Sequence, residues 1–218
     1  MTSPIVLLAL GSWEQHGAHL PFDTDTVIIK AVLDTAVRTV DPENTHFAIV
    51  PTIAISASDE HNGFIGTLSI GTQALSDAVV SIARSASWAR GICIVNGHGG
   101  NTDALKLIHS ALDYEKIRHS IWSLPDSEGA DMHAGHTETS LMLHLAPLSV
   151  QMNLAEIGAL GDPDVLIDRM RTGGMQALSP NGIVGDPTNA TAAHGATVLK
   201  FYSDHLTRLL LHIQTSWT

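Results

Sequence analysis

Apolar positions fall into two alternating rhythms along the chain. Short, mostly apolar runs cover Ile5 to Leu10, His46 to Pro51, Ile92 to Asn96 and Ile121 to Leu124. The first is unbroken, as expected of a strand buried on both faces of a parallel sheet. Between these runs lie segments with helical spacing. One runs from Thr24, placed to N-cap it, to Val40. Others span Thr72 to Arg90, Asn101 to Ile117, Thr137 to Ala146 (stopping before Pro147) and Ala193 to about Gln214. Strand and helix alternate four times, which predicts an α/β fold: a mostly parallel sheet with helices on both faces and right-handed crossovers. In such sheets ligands sit beyond the carboxyl ends of the strands, where the strand order reverses. The two richest polar loops follow the first and third predicted strands.

From Leu148 to Ala193 the rhythm fades into segments such as GDPD, RTGGMQ and SPNGIVGDPTNAT. No element is predicted there, although so long a structureless run is unusual in a compact domain. Two readings stay open: an irregular surface excursion, and a lid or oligomer contact near the site.

Composition narrows the function. The 218 residues, 44% of them apolar, suit a single domain, residues 1–218, with a substantial core. A formal net charge of −11 disfavours nucleic acid and anionic membrane surfaces as partners. No apolar run approaches the roughly 20 residues of a membrane span. The opening residues lack a basic segment and read as a strand rather than a signal peptide. The single cysteine, Cys93, excludes a disulfide framework and points to a reducing compartment, the cytoplasm. Thirteen histidines against four Phe and two Tyr call for an explanation, and metal binding is the first.

Three clusters carry the chemistry. Gly11 to Asp25, GSWEQHGAHLPFDTD, holds Glu14, His16, His19, Asp23 and Asp25 directly after a buried strand. In extended chain Glu14 and His16 share a face. Imidazole with carboxylate suits zinc, iron or manganese better than calcium or magnesium. The second cluster, VNGHGGN, places His98 at the apex of a glycine-rich turn without the Lys or Arg of a phosphate loop. In the third, DMHAGHTETS, His133, His136 and Glu138 lie at the start of a helix. Glu138 reads as a metal ligand, although a carboxylate there also suits the helix dipole. His133 is the best placed proton shuttle. Glu14, His16, Asp25, His98 and Glu138 exceed the needs of one tetrahedral ion. They fit two ions about 3.5–4 Å apart sharing a carboxylate and a water, an arrangement suited to hydrolysis of an amide-type C–N bond.

These segments, with EHNGFIGTLSIGT (Glu60 to Thr72), resemble the creatininase (creatinine amidohydrolase) family over Ile5 to about Pro147. The resemblance implies a three-layer α/β/α sandwich and a homo-oligomer holding two divalent ions, Fe(II), Zn or Mn. It implies Glu14, His16, Asp25, His98 and Glu138 as metal positions and His133 as the catalytic histidine, with Glu138 also at the reaction centre. The stretch RTGGMQALSPNGIVGDPTNATAAHG resembles the branch of the family that acts in the mycofactocin system. That branch implies a modified precursor peptide as substrate and release of its C-terminal Val-Tyr dipeptide. A small cyclic amide or formamide is the alternative substrate, and a metal-binding scaffold without turnover the alternative class.

Departures from the family bear on the substrate. Creatininase proper carries a glutamate two residues after the glycine-loop histidine, where this chain has Gly100. It also carries a tryptophan shortly before the histidine matched by His133, and Leu124 to Met132 contains none. Both count against creatinine. Trp13 and Ala18 stand where the first motif has threonine and proline, and Trp13 is placed to line a substrate pocket. His19 and His61 are candidates for substrate contact or for structural hydrogen bonding. His109, His119, His144, His205 and His212 are assigned to helices or helix ends with ordinary packing roles. Met170 and Met175 are assigned to packing.

Overall fold

A computed structural model describes residues 3–126 and 131–217. The elements run β1 (Ile5–Leu10), α1 (Thr24–Val40), β2 (Phe47–Ile49), α2 (Gly71–Ser85), β3 (Ile92–Asn96), α3 (Thr102–Tyr114), β4 (His119–Ser123), α4 (His136–Leu145), α5 (Pro163–Leu178) and α6 (Ala192–Ser216). The four strands form one parallel sheet in the order β2-β1-β3-β4.

Every residue of β1 is buried because the two faces of the strand feed separate cores. Ile5, Leu7 and Ala9 pack with Ile29 and Leu33 of α1, Met142 of α4 and Leu206 of α6. Val6, Leu8 and Leu10 pack with Val79 of α2 and Ile108 of α3. β3 divides likewise, Cys93 and Val95 to one side and Ile92 and Ile94 to the other. The architecture is therefore α/β/α in three layers, as the sequence predicts. Strand order reverses between β1 and β3, so the loops after these strands flank the crevice where ligands bind in such sheets.

Two expectations need correction. His119 lies in β4 rather than at a helix end. The Leu148 to Ala193 stretch is not structureless, since it contains α5. Asp162 caps that helix by accepting the Asp164 N–H at 3.0 Å, and Pro163 opens it. Gly174, at φ 77°, breaks its helical geometry. Leu166, Met175, Leu178 and Val184 form a small core of their own, with Phe64, Met132 and Met170 packed against it.

Candidate metal centre

Every loop that meets at the site leaves the carboxyl end of the sheet. Glu14 and His16 follow β1, and Asp25 sits in the first turn of α1. The loop after β3 carries His98, and the short turn Asp59–His61 follows β2. His133 and Glu138 flank the start of α4. Gly97 allows two of these elements to meet. A Cβ there would lie 2.6 Å from Ile29 Cβ, so only glycine lets the β3 loop press against α1 and bring His98 to Asp25.

The resulting cage is buried and dense in donors. Asp25 stands between two imidazoles: Oδ2 is 3.0 Å from His98 Nδ1, and Oδ1 is 3.3 Å from His16 Nε2. Ser12 Oγ also donates to Asp25 Oδ2 at 2.7 Å, fixing the carboxylate. Glu138 Oε2 lies 3.7 Å from His16 Nε2 and accepts the Ala134 N–H at 2.6 Å. Glu14 Oε2 lies 3.1 Å from His98 Nε2. Its Oε1 lies 3.6 Å from His61 Nε2 and 3.7 Å from His133 Nδ1. Two donor triads therefore share Asp25, namely Glu14, Asp25 and His98, and His16, Asp25 and Glu138.

Electrostatics split the histidines. Burial disfavours charge on His16 and His98, but the carboxylates outweigh it, chiefly Asp25 at His16 and Glu14 and Asp25 at His98. Both pKa values are held up at about 10. Burial pushes both His61 and His133 down, helped by His16 and His98 at His61 and by His16 at His133, and His61 falls to about 3. Burial raises Glu14 and Glu138 to about 7. Asp25 is held well below the usual carboxylate range because His16 and His98 outweigh its burial.

This donor set fits a pair of divalent cations. Glu14 is fully buried, yet neither of its oxygens has a hydrogen-bond donor in good geometry. A buried carboxylate left in that state costs several kcal/mol, on the order of 1–3 even for a neutral polar group. Protons on His16 and His98 answer part of the negative charge, and cations would answer it directly. Imidazole nitrogen and carboxylate oxygen together suit zinc, iron or manganese.

The six residues predicted for metal and proton chemistry thus come together. His61 belongs with them, its ring centroid 4.5 Å from that of His133. His19 is buried with Nε2 2.8 Å from Thr139 Oγ1 on α4, a structural setting. Trp13 is partly exposed and stacks on Phe22, with centroids 6.1 Å apart. Asp131 receives the N–H groups of His136 and Thr137 and so caps α4. Sequence reasoning passed over Glu60, whose Oε1 lies 3.6 Å from His98 Nε2. The available signal was a carboxylate next to His61, in a segment already matched to the family.

Comparison with known proteins places the fold in a family. Residues 1–210 match the family model for creatininase, creatinine amidohydrolase. A Mycobacterium tuberculosis protein named mycofactocin precursor peptide peptidase is 45% identical over 213 residues, covering 95% of this chain and 84% of its own. A putative creatinine amidohydrolase from Bacteroides fragilis superposes with a TM-score of 0.80 at 21% identity, over 98% of this chain and 91% of that one. A creatininase variant described as Zn-Zn type gives 0.77 at 20% identity, over 99% and 91%. By the extent of the family match and the identity to its M. tuberculosis relative, this chain belongs to the creatininase family.

Proposed function

We propose that the chain is a dinuclear metal-dependent peptidase that removes the modified C-terminal Val-Tyr dipeptide from the mycofactocin precursor peptide. The observation that carries the hydrolase reading is the pair of donor triads sharing Asp25 around the unsatisfied Glu14 carboxylate. The substrate comes from the 45% identity to a relative named for that activity. Glu14, Asp25 and His98 would hold one ion, and His16, Asp25 and Glu138 the other. Zinc, Fe(II) and manganese all suit these donors. Such a pair, when bound, supplies an activated water and polarises the scissile carbonyl.

The chain's own groups handle the proton. His133 Nε2 sits 2.8 Å from the Gln15 carbonyl, to which it donates as N–H. That tautomer leaves a lone pair on Nδ1, which faces Glu14. Burial, with His16 and His61 beside it, keeps the ring neutral. Nδ1 can then take a proton from the attacking water and pass it to the amine as the C–N bond breaks. The backbone holds the ring in place: His133 N–H donates to the Val184 carbonyl at 3.2 Å, and Val184 N–H returns a bond at 2.8 Å.

The partly exposed Trp13, stacked on Phe22, offers an aromatic surface to the substrate's tyrosine. Nearby Ile65, Leu68 and Ile70 are exposed and suit a contact between subunits of a homo-oligomer. A single unpaired, buried Cys93 accords with a cytoplasmic enzyme.

Incubation of metal-loaded protein with the modified precursor tests the proposal, with mass spectrometry of the products. Release of the dipeptide is expected, and Glu14→Ala should abolish it. Hydrolysis of a cyclic amide with an intact precursor would replace the peptide substrate by a small one.

A further inference from the structure

The space beside the glycine-loop histidine shows how this chain completes its cage. Gly100 has no side chain, and a Cβ built there would overlap Glu60 Oε1 and His98 Nε2 and lie 2.7 Å from the Ala57 carbonyl. Glu60 thus fills the place that a residue at position 100 would claim. Its Oε1 stands 3.6 Å from His98 Nε2. Glu14, Glu60 and His61 also form a donor triad of their own, each offering an atom within 4.8 Å of the others. Donors about 2.0–2.2 Å from one ion stand roughly 3–3.5 Å apart, so this spacing is close to that of shared ligation. The second observation is Glu14, wholly buried with neither oxygen in a hydrogen bond of good geometry and with His98 Nε2 3.1 Å from Oε2. A further carboxylate beside it adds negative charge at a place where a bound cation is the natural counterweight.

The geometry points to Glu60 as a ligand of the ion held by Glu14, Asp25 and His98, supplied from the β2 loop in the place of a side chain at position 100. The absence of a side chain at Gly100 is what leaves room for the Glu60 carboxylate. This chain carries no side chain at Gly100 and delivers a carboxylate to that space from Glu60. Glu60 does not orient His98 by a hydrogen bond, since 3.6 Å is too long for one.

The inference rests on the cage being dinuclear, and the test separates the two ideas. Full-length protein stripped with chelator is titrated with Co(II), followed by calorimetry and by the visible ligand-field spectrum. Wild type is expected to take up two ions. Glu60→Gln should bind one ion as before and the other at least about tenfold more weakly, the lower end of what even an outer-shell substitution costs. Only the spectrum of the weakened ion should change. Glu60→Asp keeps the charge with a shorter reach and should fall between the two. It also serves as the reporter if Glu60→Gln does not fold, as judged by the melting of the metal-free protein. Two ions of unchanged affinity and spectrum in the glutamine and aspartate variants would overturn the Glu60 assignment and leave the dinuclear cage standing. Failure of wild type to bind Co(II) would overturn the cage, and Glu60 with it.

Discussion

His16 and His98 on one side of the cage, and His61 and His133 on the other, are the same side chain at nearly the same burial. Their proton affinities nevertheless diverge. The first pair lies within 3.0–3.3 Å of Asp25, with Glu14 also 3.1 Å from His98, and is held protonated to about pH 10. The second pair lies 3.6–3.7 Å from the high-pKa Glu14 and stays neutral. Burial penalises the charge in all four rings, and only a directly apposed anion reverses it. The difference teaches that one half of the cage is built to hold positive charge, whether proton or metal. The other is built to stay uncharged, as the proton-transfer role proposed for His133 requires.

Substitutions on the two sides should therefore fail in different ways. If the cage holds two ions as proposed, His98→Gln should remove one of them and abolish turnover. His133→Gln should retain both ions while kcat falls by roughly 10²–10⁴, the ordinary worth of a proton-transfer group. Metal content by elemental analysis, beside steady-state kinetics, checks the pair. Loss of metal from His133→Gln would erase the distinction, since His133 would then itself be a ligand.

The two sides were not equally legible in the sequence. Glu14, His16, Asp25 and His98 sit in compact motifs after buried strands, where the alternation of strand and helix puts both loops at one end of a parallel sheet. The fold was legible for the same reason, since unbroken apolar runs such as Ile5 to Leu10 mark a sheet covered on both faces. Glu60 was not legible, because its role depends on the gap at Gly100, 40 residues on in sequence. Nor was the support of His133 by Val184, a long-range backbone pairing that no local pattern announces. α5 was obscured by Gly173 and Gly174 and by its few buried positions, Leu166, Met175 and Leu178. Its stability comes from packing against Phe64 and Met132 rather than from its own pattern.

The contrast also sets a pH dependence. In the metal-free protein, His16 and His98 have folded pKa values near 10 against 6.5 unfolded. Their contribution to stability is complete below pH 6.5 and is lost as pH rises towards 10. Glu14 and Glu138, raised from 4.5 to about 7, contribute fully below pH 4.5 and lose that contribution as pH rises through 7. The lowered rings act oppositely. His61 favours the folded state above pH 6.5, and that advantage is lost as pH falls towards 3. Between pH 7 and 9.5 only losses remain, so the melting temperature of the metal-free protein should fall. Added Zn(II) displaces the protons of His16 and His98, and its apparent affinity should rise with pH. The stabilisation given by zinc should therefore widen across this interval in thermal melts. A gap that narrows would mean that these two rings do not carry protons in the metal-free cage.

The smallest expected effect concerns a histidine that belongs to neither side. His19 is buried and lowered to about 4, by burial first and the nearby His16 second. Its ring faces Thr139 Oγ1 at 2.8 Å, while its backbone carbonyl accepts the Gln151 N–H at 2.9 Å. The contact ties the first motif to α4 and thereby holds the Glu14 side of the site against the Glu138 side. Thr139→Val removes the hydroxyl at nearly constant volume and should cost about 1 kcal/mol. In a chain of this size that lowers the melting temperature by roughly 2–4 °C. KM for the precursor should stay unchanged, because the bond supports the cage without touching substrate. A rise in KM with stability intact would move His19 into the substrate pocket and leave its pairing with Thr139 as a way of aiming the ring.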